Sequence, residues 1–353
     1  MAKRTRLVFV TQQVDPGHPA LAATIPMIRA LAERVDEVVV VADRVLPDAL
    51  PGNCRWALFA ARTRGGRGLR FETALTRELL RRPRPRAVLA HMCPIYAVLA
   101  APLARPLGVR VLLWFTHWKA TRTLAWAERL SSAIVSVDRR SFPLDSPKVR
   151  GIGHGIDLDE FSCRERDGSG GGLRAVALGR YSPAKGLETV VRGVRVALDS
   201  GLDLRLELIG PALTAIEREH RSALERLVAE LDLQARVRLG HAVLRSEVPD
   251  VFARADVLVN NMEAGAPDKA VYEAAAACVP VVSSNPVFDE LLDDLTVPLR
   301  FARDDPAELA DRLAGLARLA AAGRAELGRT LRARVAERHS VGRWADRILE
   351  TAR

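Results

Sequence analysis

One stretch restricts the folds open to this chain more than any other: residues 257–285, VLVNNMEAGAPDKAVYEAAAACVPVVSSN. VLVN reads as a short apolar strand and EAGAP as a turn-rich loop. A helix runs from Lys269 to Cys278, and a second strand begins at Val281-Val282. Asp268 can cap the helix through a side-chain oxygen. Strand, helix and strand within this length make one βαβ crossover, which commits the sheet to parallel strands.

The helix start gathers unpaired backbone N–H groups and the positive end of a dipole, so it suits an anion. Lys269 adds a full charge there. Glu273 lies one turn on, on roughly the same face. Two readings of that carboxylate stand at this point. It accepts hydrogen bonds from sugar hydroxyls, as the acidic residue of a dinucleotide fold does for ribose, or it forms a surface i,i+4 pair with Lys269.

The rest of the chain repeats the pattern. Strands are expected at RLVFV (6–10), EVVVVA (37–42), AVLAH (87–91), VRVLLWF (109–115) and AIVSV (133–137), with a further one at 55–59. Helices are expected at 21–34, 71–81, 95–107 and 121–131, and TRGGRGLR (63–70) reads as a mobile basic loop. Alternation stops near Lys148, and RGIGHGIDLDEF followed by RERDGSGGG has linker chemistry. A second series then opens at LRAVAL (173–178) and continues through strands near 204–209 and 237–239 to the crossover above. Helices at 306–319, 325–335 and 340–351 close the chain. The expected domains are therefore 1–150, 151–335 and a C-terminal helix, 336–353, that packs back on the first domain. Sheets of this class bind ligands at the carboxyl ends of their strands.

At 353 residues the chain is comfortable as two domains. Cys54, Cys93, Cys163 and Cys278 show no CxxC spacing. They point to a reduced compartment, with no disulfide frame and no structural zinc. The first residues lack the apolar run of a signal peptide, and no stretch nears the ~20 residues of a membrane helix. The expected location is the cytoplasm. Net charge is +10, from 48 arginines and five lysines. Aromatics at 5% are too few for nucleic-acid stacking platforms, so nucleic acid is not an expected partner. The basic run 62–86 leaves two readings: peripheral contact with the anionic inner membrane face or an anionic acceptor, and a solvated charged surface.

LGRYSPAKG (178–186) follows a strand and precedes a helix. Gly179 lets the backbone turn closely, while Arg180 as a planar fork and Lys185 as a point charge can converge on one anion. Lysine is scarce here, yet Lys185 and Lys269 both stand at helix starts after strands of one domain. We read them as a diphosphate clamp.

GRYSPAKGLETVV, RVRLGHAVLRSEVPDVFARADVLVN, GAPDKAVYEAAAACVPVV and RHSVGRWADRIL together resemble the second half of family 4 glycosyltransferases (glycosyl transferases group 1). HGIDLDEF resembles the segment that ends their first domain. The resemblance implies an α/β GT-B fold: two Rossmann-like domains facing across a cleft, the acceptor held by the first and a nucleotide-sugar by the second. It implies that Arg180 and Lys185 hold the diphosphate. It also makes Glu273 the second glutamate of an EX7E motif, which binds ribose, and puts Gly240 in the loop that approaches the base. The first glutamate of that motif falls on Gly265, with Glu263 displaced by two. GAPDK fits a GxxDK variant of this loop. The glycine that normally ends the helix is Cys278, where a left-handed backbone would carry strain of order 1 kcal/mol.

In the first domain His117, at the end of VLLWFT, is the best candidate, since the family has a histidine near here that contacts the donor sugar. It also reads as a ring packed beside Trp114 and Trp118. Gly17 and His18 lie in the first βα loop, facing diphosphate or acceptor. His91 ends a strand. His154 and His241 read as structural loop residues, and His220 and His339 as helix-surface or helix-end residues. Glu290 falls where family members approach the donor. Asp157-Leu-Asp159 spells DxD, but it lies in the linker and reads as chance.

The expected activity is transfer, with retention, of a hexose-type sugar from a nucleoside-diphosphate sugar to a glycan, lipid-linked or small-molecule acceptor. It fits polysaccharide biosynthesis. Arg180, Lys185 and the helix start supply the charge stabilisation, so neither a metal nor a cofactor is expected. A non-catalytic GT-B-like binding protein and a GT-B nucleotide-sugar epimerase remain as alternatives.

Overall fold

The computed structural model describes residues 5–18, 21–164 and 172–353. The chain forms two compact units, Met1–Asp157 with Arg338–Arg353, and Leu158–Glu337. The division thus falls seven residues beyond the expected boundary.

The first unit runs β1 (Arg6–Val10), β2 (Gln13–Val14), α1 (Thr24–Ala32), β3 (Glu37–Ala42), β4 (Arg44–Val45), β5 (Cys54–Leu58) and α2 (Arg64–Leu80). It continues with β6 (Ala87–His91), α3 (Pro94–Ala104), β7 (Arg110–Trp114), α4 (Arg122–Leu130), β8 (Ala133–Ser136) and β9 (Val149–Gly151). Seven strands make one sheet in the order β5-β3-β1-β6-β7-β8-β9, every pair parallel. β1, β3 and β6 are buried along their whole length. Helices cover both faces of such a sheet, so its strands are continuous apolar runs rather than alternating ones. Phe59, Phe71 and Tyr96 meet ring to ring with centroids 5.5 Å apart in this core.

β1 also buries a charge. Arg6 is ion-paired with Glu37 and, at 2.8 Å, with Glu78 of α2, and donates to Pro83 O at 2.8 Å. Its desolvation is offset by partners on every side of the guanidinium, which ties β1, β3 and α2 together.

Two sequence expectations are corrected here. TRGGRGLR is not a loop but the opening of α2. Thr63 caps it by accepting from Gly66 N at 3.1 Å. Each glycine opposes a helix by about 1 kcal/mol, but the cap and burial of Phe71, Leu75 and Leu79 prevail. Nor does alternation stop at Lys148: β9 completes the sheet, and Ile152, His154 and Ile156 beyond it are buried.

The second unit contains β10 (Leu173–Leu178), α5 (Leu187–Asp199), β11 (Leu204–Ile209), α6 (Ala215–Glu230), β12 (Val237–Leu239) and α7 (Val248–Arg254). β13 (Val257–Asn260), α8 (Lys269–Ala276), β14 (Val281–Ser283), α9 (Asp289–Leu292), α10 (Pro306–Arg318) and α11 (Ala321–Arg338) follow. Its five-stranded parallel sheet has the order β12-β11-β10-β13-β14. The order reverses between β10 and β13, which makes the carboxyl ends of those two strands the switch point where ligands bind in open α/β sheets.

α12 (Val341–Thr351) returns to the first unit. There Trp344 is fully buried, edge-on to Trp114 at 5.7 Å, and Asp346 pairs at 2.7 Å with Arg34, just past the end of α1. No helix among the described residues is long and apolar enough to cross a membrane.

The expectation of no disulfide is also overturned. Cys163 and Cys278 are bonded, with Cα atoms 5.1 Å apart across 115 residues of sequence. Only the fold brings them together, so spacing carried no sign of the pair. Burial pushes the free thiols Cys54 and Cys93 up to about 11.

Candidate functional site

The loops that leave β10 and β13 meet at the switch point of the second unit. Glu263 N donates to Ala184 O at 2.9 Å, and Asn261 Nδ2 to Gly186 O at 3.0 Å. Between them Lys185 is ion-paired with Asp268, and its Nζ also donates to Leu178 O at 3.1 Å. Lys185 lies directly across Gly179. A Cβ there would sit 2.5 Å from Lys185 Cε, and the backbone φ is +132°, so only glycine serves.

Asp268 holds the start of α8. Its side chain accepts from Ala270 N, and Asn260 Nδ2 donates to its Oδ2 at 3.0 Å. The anion seat expected at this helix start is thus lined by the protein's own carboxylate. Lysine has three donors; Leu178 O and Asp268 engage Lys185 and leave capacity for a phosphate oxygen. Arg180 is half-exposed. One of its five donors reaches Glu217 at 3.1 Å, and Glu217 also closes the capping box of α6. Lys269, the first residue of α8, is partly exposed beside the cap.

Glu273 is buried, which rules against a surface residue. Its Oε1 accepts from Arg245 Nη1 at 2.5 Å, while Arg245 Nη2 donates to Glu160 Oε2 at 2.7 Å. Arg245 also stacks over Phe161 at 5.0 Å. Burial alone would lower the Arg245 pKa, but Glu273 and Glu160 outweigh it and hold it above its ordinary value. The single guanidinium fixes the Glu273 rotamer.

Gly240 N donates to Leu208 O at 2.7 Å, and the Tyr181 hydroxyl lies 2.8 Å from both Leu208 O and Gly240 O. Burial pushes Tyr181 up to about 12, so it stays a donor. His220, expected at a helix surface, is instead buried, its ring nitrogens 2.9 Å from Tyr181 O and 2.7 Å from Glu188 Oε1. Helical periodicity placed it on α6 without showing that this face packs inward.

Gly265, where the resemblance calls for a glutamate, has φ +81°. Its turn is tied to β14 by Asn285, which accepts from Gly265 N at 3.3 Å and donates to the carbonyls of Glu263 and Ala266 at 2.9 Å. A glutamate would be strained there, and Glu263 is exposed. Cys278 has φ +58°, the left-handed geometry of a helix-ending glycine, and its sulfur closes the disulfide. Glu290 is exposed in α9.

Sequence reasoning missed Arg245, Asn260, Asn261 and Asn285. The Asn-Asn pair at the end of an apolar strand was a usable signal, because buried amides need partners. Arg245 carried none, being one of 48 arginines.

The candidates of the first unit gather at the carboxyl edge of its own sheet. Gly17 N donates to Asp15 Oδ1 at 2.9 Å, and His18 Nδ1 accepts from Leu21 N at 3.0 Å. His91 is buried, stacked on Phe9 at 5.4 Å. His117 is exposed after β7, stacked on Trp118 at 5.5 Å, and its Nδ1 accepts from Lys119 N at 3.0 Å. Trp114 packs instead against His154 and Trp344. His241 is exposed beside Arg221, and His339 stands between α11 and α12. Asp157 and Asp159 belong to no cluster of metal-ligating side chains, of which the described residues contain none.

Residues 172–318 match the family described as Glycosyl transferases group 1. D-inositol 3-phosphate glycosyltransferase of Streptomyces scabiei is 29% identical over 161 residues, 41% of this chain. The match spans 35% of that relative's own length. Sucrose-phosphate synthase of Thermosynechococcus elongatus superposes with a TM-score of 0.78 at 16% identity, over 98% of each chain. Anabaena Alr3699/HepE in complex with UDP-glucose gives 0.78 at 16% identity over 99% of each. At such identities the superpositions establish the fold, which is GT-B with two Rossmann-like units. Residues 172–318 are thus similar in sequence to the glycosyl transferases group 1 family, and the whole chain shares the GT-B fold.

Proposed function

We propose that this chain is a retaining family 4 glycosyltransferase that moves a hexose-type sugar from a nucleoside-diphosphate sugar to a glycan, lipid-linked or small-molecule acceptor. The observation that carries the reading is the meeting of Lys185, Asp268 and the start of α8 at the switch point, with Arg180 beside the same loop. The second unit holds the donor and the first the acceptor. Arg180 and Lys185 take the diphosphate, Glu273 the ribose hydroxyls through Oε2, and the Gly240 loop the base. His117 and Gly17 serve the sugar or acceptor.

In the reaction the bond from the anomeric carbon to the diphosphate oxygen breaks. A bond from the acceptor oxygen forms on the same face, and the departing phosphate takes the acceptor's proton. Charge growing on the leaving oxygens is met by Arg180, Lys185 and the N-terminus of α8, already placed by Gly179 and Asp268. No protein nucleophile and no metal is needed, so chelators leave turnover intact.

Exposed Trp56 and Leu58 on β5, and Leu69 and Leu80 on α2 among its arginines, support peripheral contact of the first unit with an anionic membrane. Co-sedimentation with anionic but not neutral vesicles tests it.

Release of nucleoside diphosphate, measured with and without candidate acceptors, tests the main reading. Acceptor-dependent release that Arg180→Ala and Lys185→Ala abolish is expected. Unchanged rates in those variants reject the clamp. A sugar altered with no acceptor present would indicate an epimerase, and tight binding with no turnover a non-catalytic protein.

A further inference from the structure

A row of arginines crosses the amino-terminal end of the second unit's sheet. Strand register sets Arg174 of β10 opposite Arg205 of β11. Leu206 pairs with Val237 of β12, which brings Arg236, one residue earlier, alongside Arg205. Residues in register share a face, and strands lie about 4.8 Å apart, so three guanidinium stems leave one face within about 10 Å. Like charges directly opposite destabilise a sheet.

The ends of the row are neutralised. Arg174 pairs with Asp256 at 2.9 Å and Arg236 with Asp203, while Arg238 pairs with Glu207. Arg205 at the centre, and Arg254 at the end of α7, are exposed and meet no carboxylate among the described residues. All five arginines line a cleft of about 510 Å³ that also includes Val176, Leu206, Val237 and Val251. Its volume suits a small ligand. Five arginines face three carboxylates there, leaving two positive charges, which matches the charge of a phosphomonoester near neutral pH.

We infer that this cleft binds a small soluble phosphomonoester, its phosphate on the Arg205 and Arg254 forks and its uncharged part on Val176, which shares the arginine face, and Val251 of α7. An arginine fork fits phosphate oxygens in pairs. Arg174 lies four residues before Leu178, so the arginine row is about 13 Å from the switch point. Its occupant is compatible with a filled donor loop, and the inference does not rest on the glycosyltransferase reading.

Titration calorimetry of the full chain with phenyl phosphate tests it. Wild type and Lys185→Ala should bind equally, which separates this cleft from the donor loop. Arg205→Glu and Arg254→Glu should each weaken binding roughly tenfold or more. Arg205→Lys, which keeps the charge and loses the fork, should fall between. Arg226→Glu on α6 is the control for overall charge and should bind as wild type, as should the melting temperatures of all variants. Unchanged affinity in Arg205→Glu overturns the inference. So does an equal loss in Arg226→Glu, or binding seen only to phosphatidic acid vesicles and not to phenyl phosphate.

Discussion

Replacing Arg245 by leucine should strand two carboxylates that now share one cation. The side chains of Glu273, Arg245 and Glu160 are 5%, 16% and 22% exposed. Breaking a buried pair from one side costs about 3–5 kcal/mol. Water still reaches Glu160, so the lower end applies, about 3 kcal/mol. For a unit of this size that lowers the melting temperature by about 6–12 °C. Glu273→Gln removes the more buried charge, so the double variant should recover part of the loss, with a coupling of about 1–3 kcal/mol. Urea unfolding of the four proteins measures the cycle. Nucleoside diphosphate affinity should fall in Arg245→Leu because Glu273 loses its fixed rotamer. Additivity within about 0.5 kcal/mol would refute the shared-cation argument.

Lys185→Ala should lower turnover by roughly 10²–10³, the usual loss for one preorganised donor to a developing charge, in a donor-release assay. Arg6→Ala leaves Glu37 and Glu78 buried without their cation and should destabilise the first unit by about 3–5 kcal/mol in urea, more than Glu37→Gln does. Burial, with Arg347 and Arg338 nearby, lowers the His339 pKa from 6.5 to about 4. The unfolded chain therefore binds the extra proton, and the stability from neutral His339 is full above pH 6.5 and lost as pH falls toward 4. His339→Gln should flatten that slope in thermal melts. Cys163→Ser should lower stability by about 2–4 kcal/mol under oxidising conditions, with no further loss on adding dithiothreitol.

The parallel sheets were legible because buried βαβ strands such as VFV and EVVVV are unbroken apolar runs. The positions of Gly179, Lys185 and Asp268 were legible because a turn with glycine and a helix cap have local signatures. What escaped depends on partners far along the chain. Cys163 finds Cys278, Arg245 finds Glu160 and Glu273, and β9 finds β8, none within a local window. The opening of α2 escaped for a different reason: three glycines argued against a helix that the Thr63 cap and a packed apolar face sustain.

Calorimetric titration of nucleoside diphosphates into wild type and the Arg180→Ala, Lys185→Ala double variant tests the donor site most directly. One molecule bound per wild-type chain, with affinity lost by roughly a hundredfold or more in the variant, is the predicted result. Equal affinity in the two proteins would contradict it.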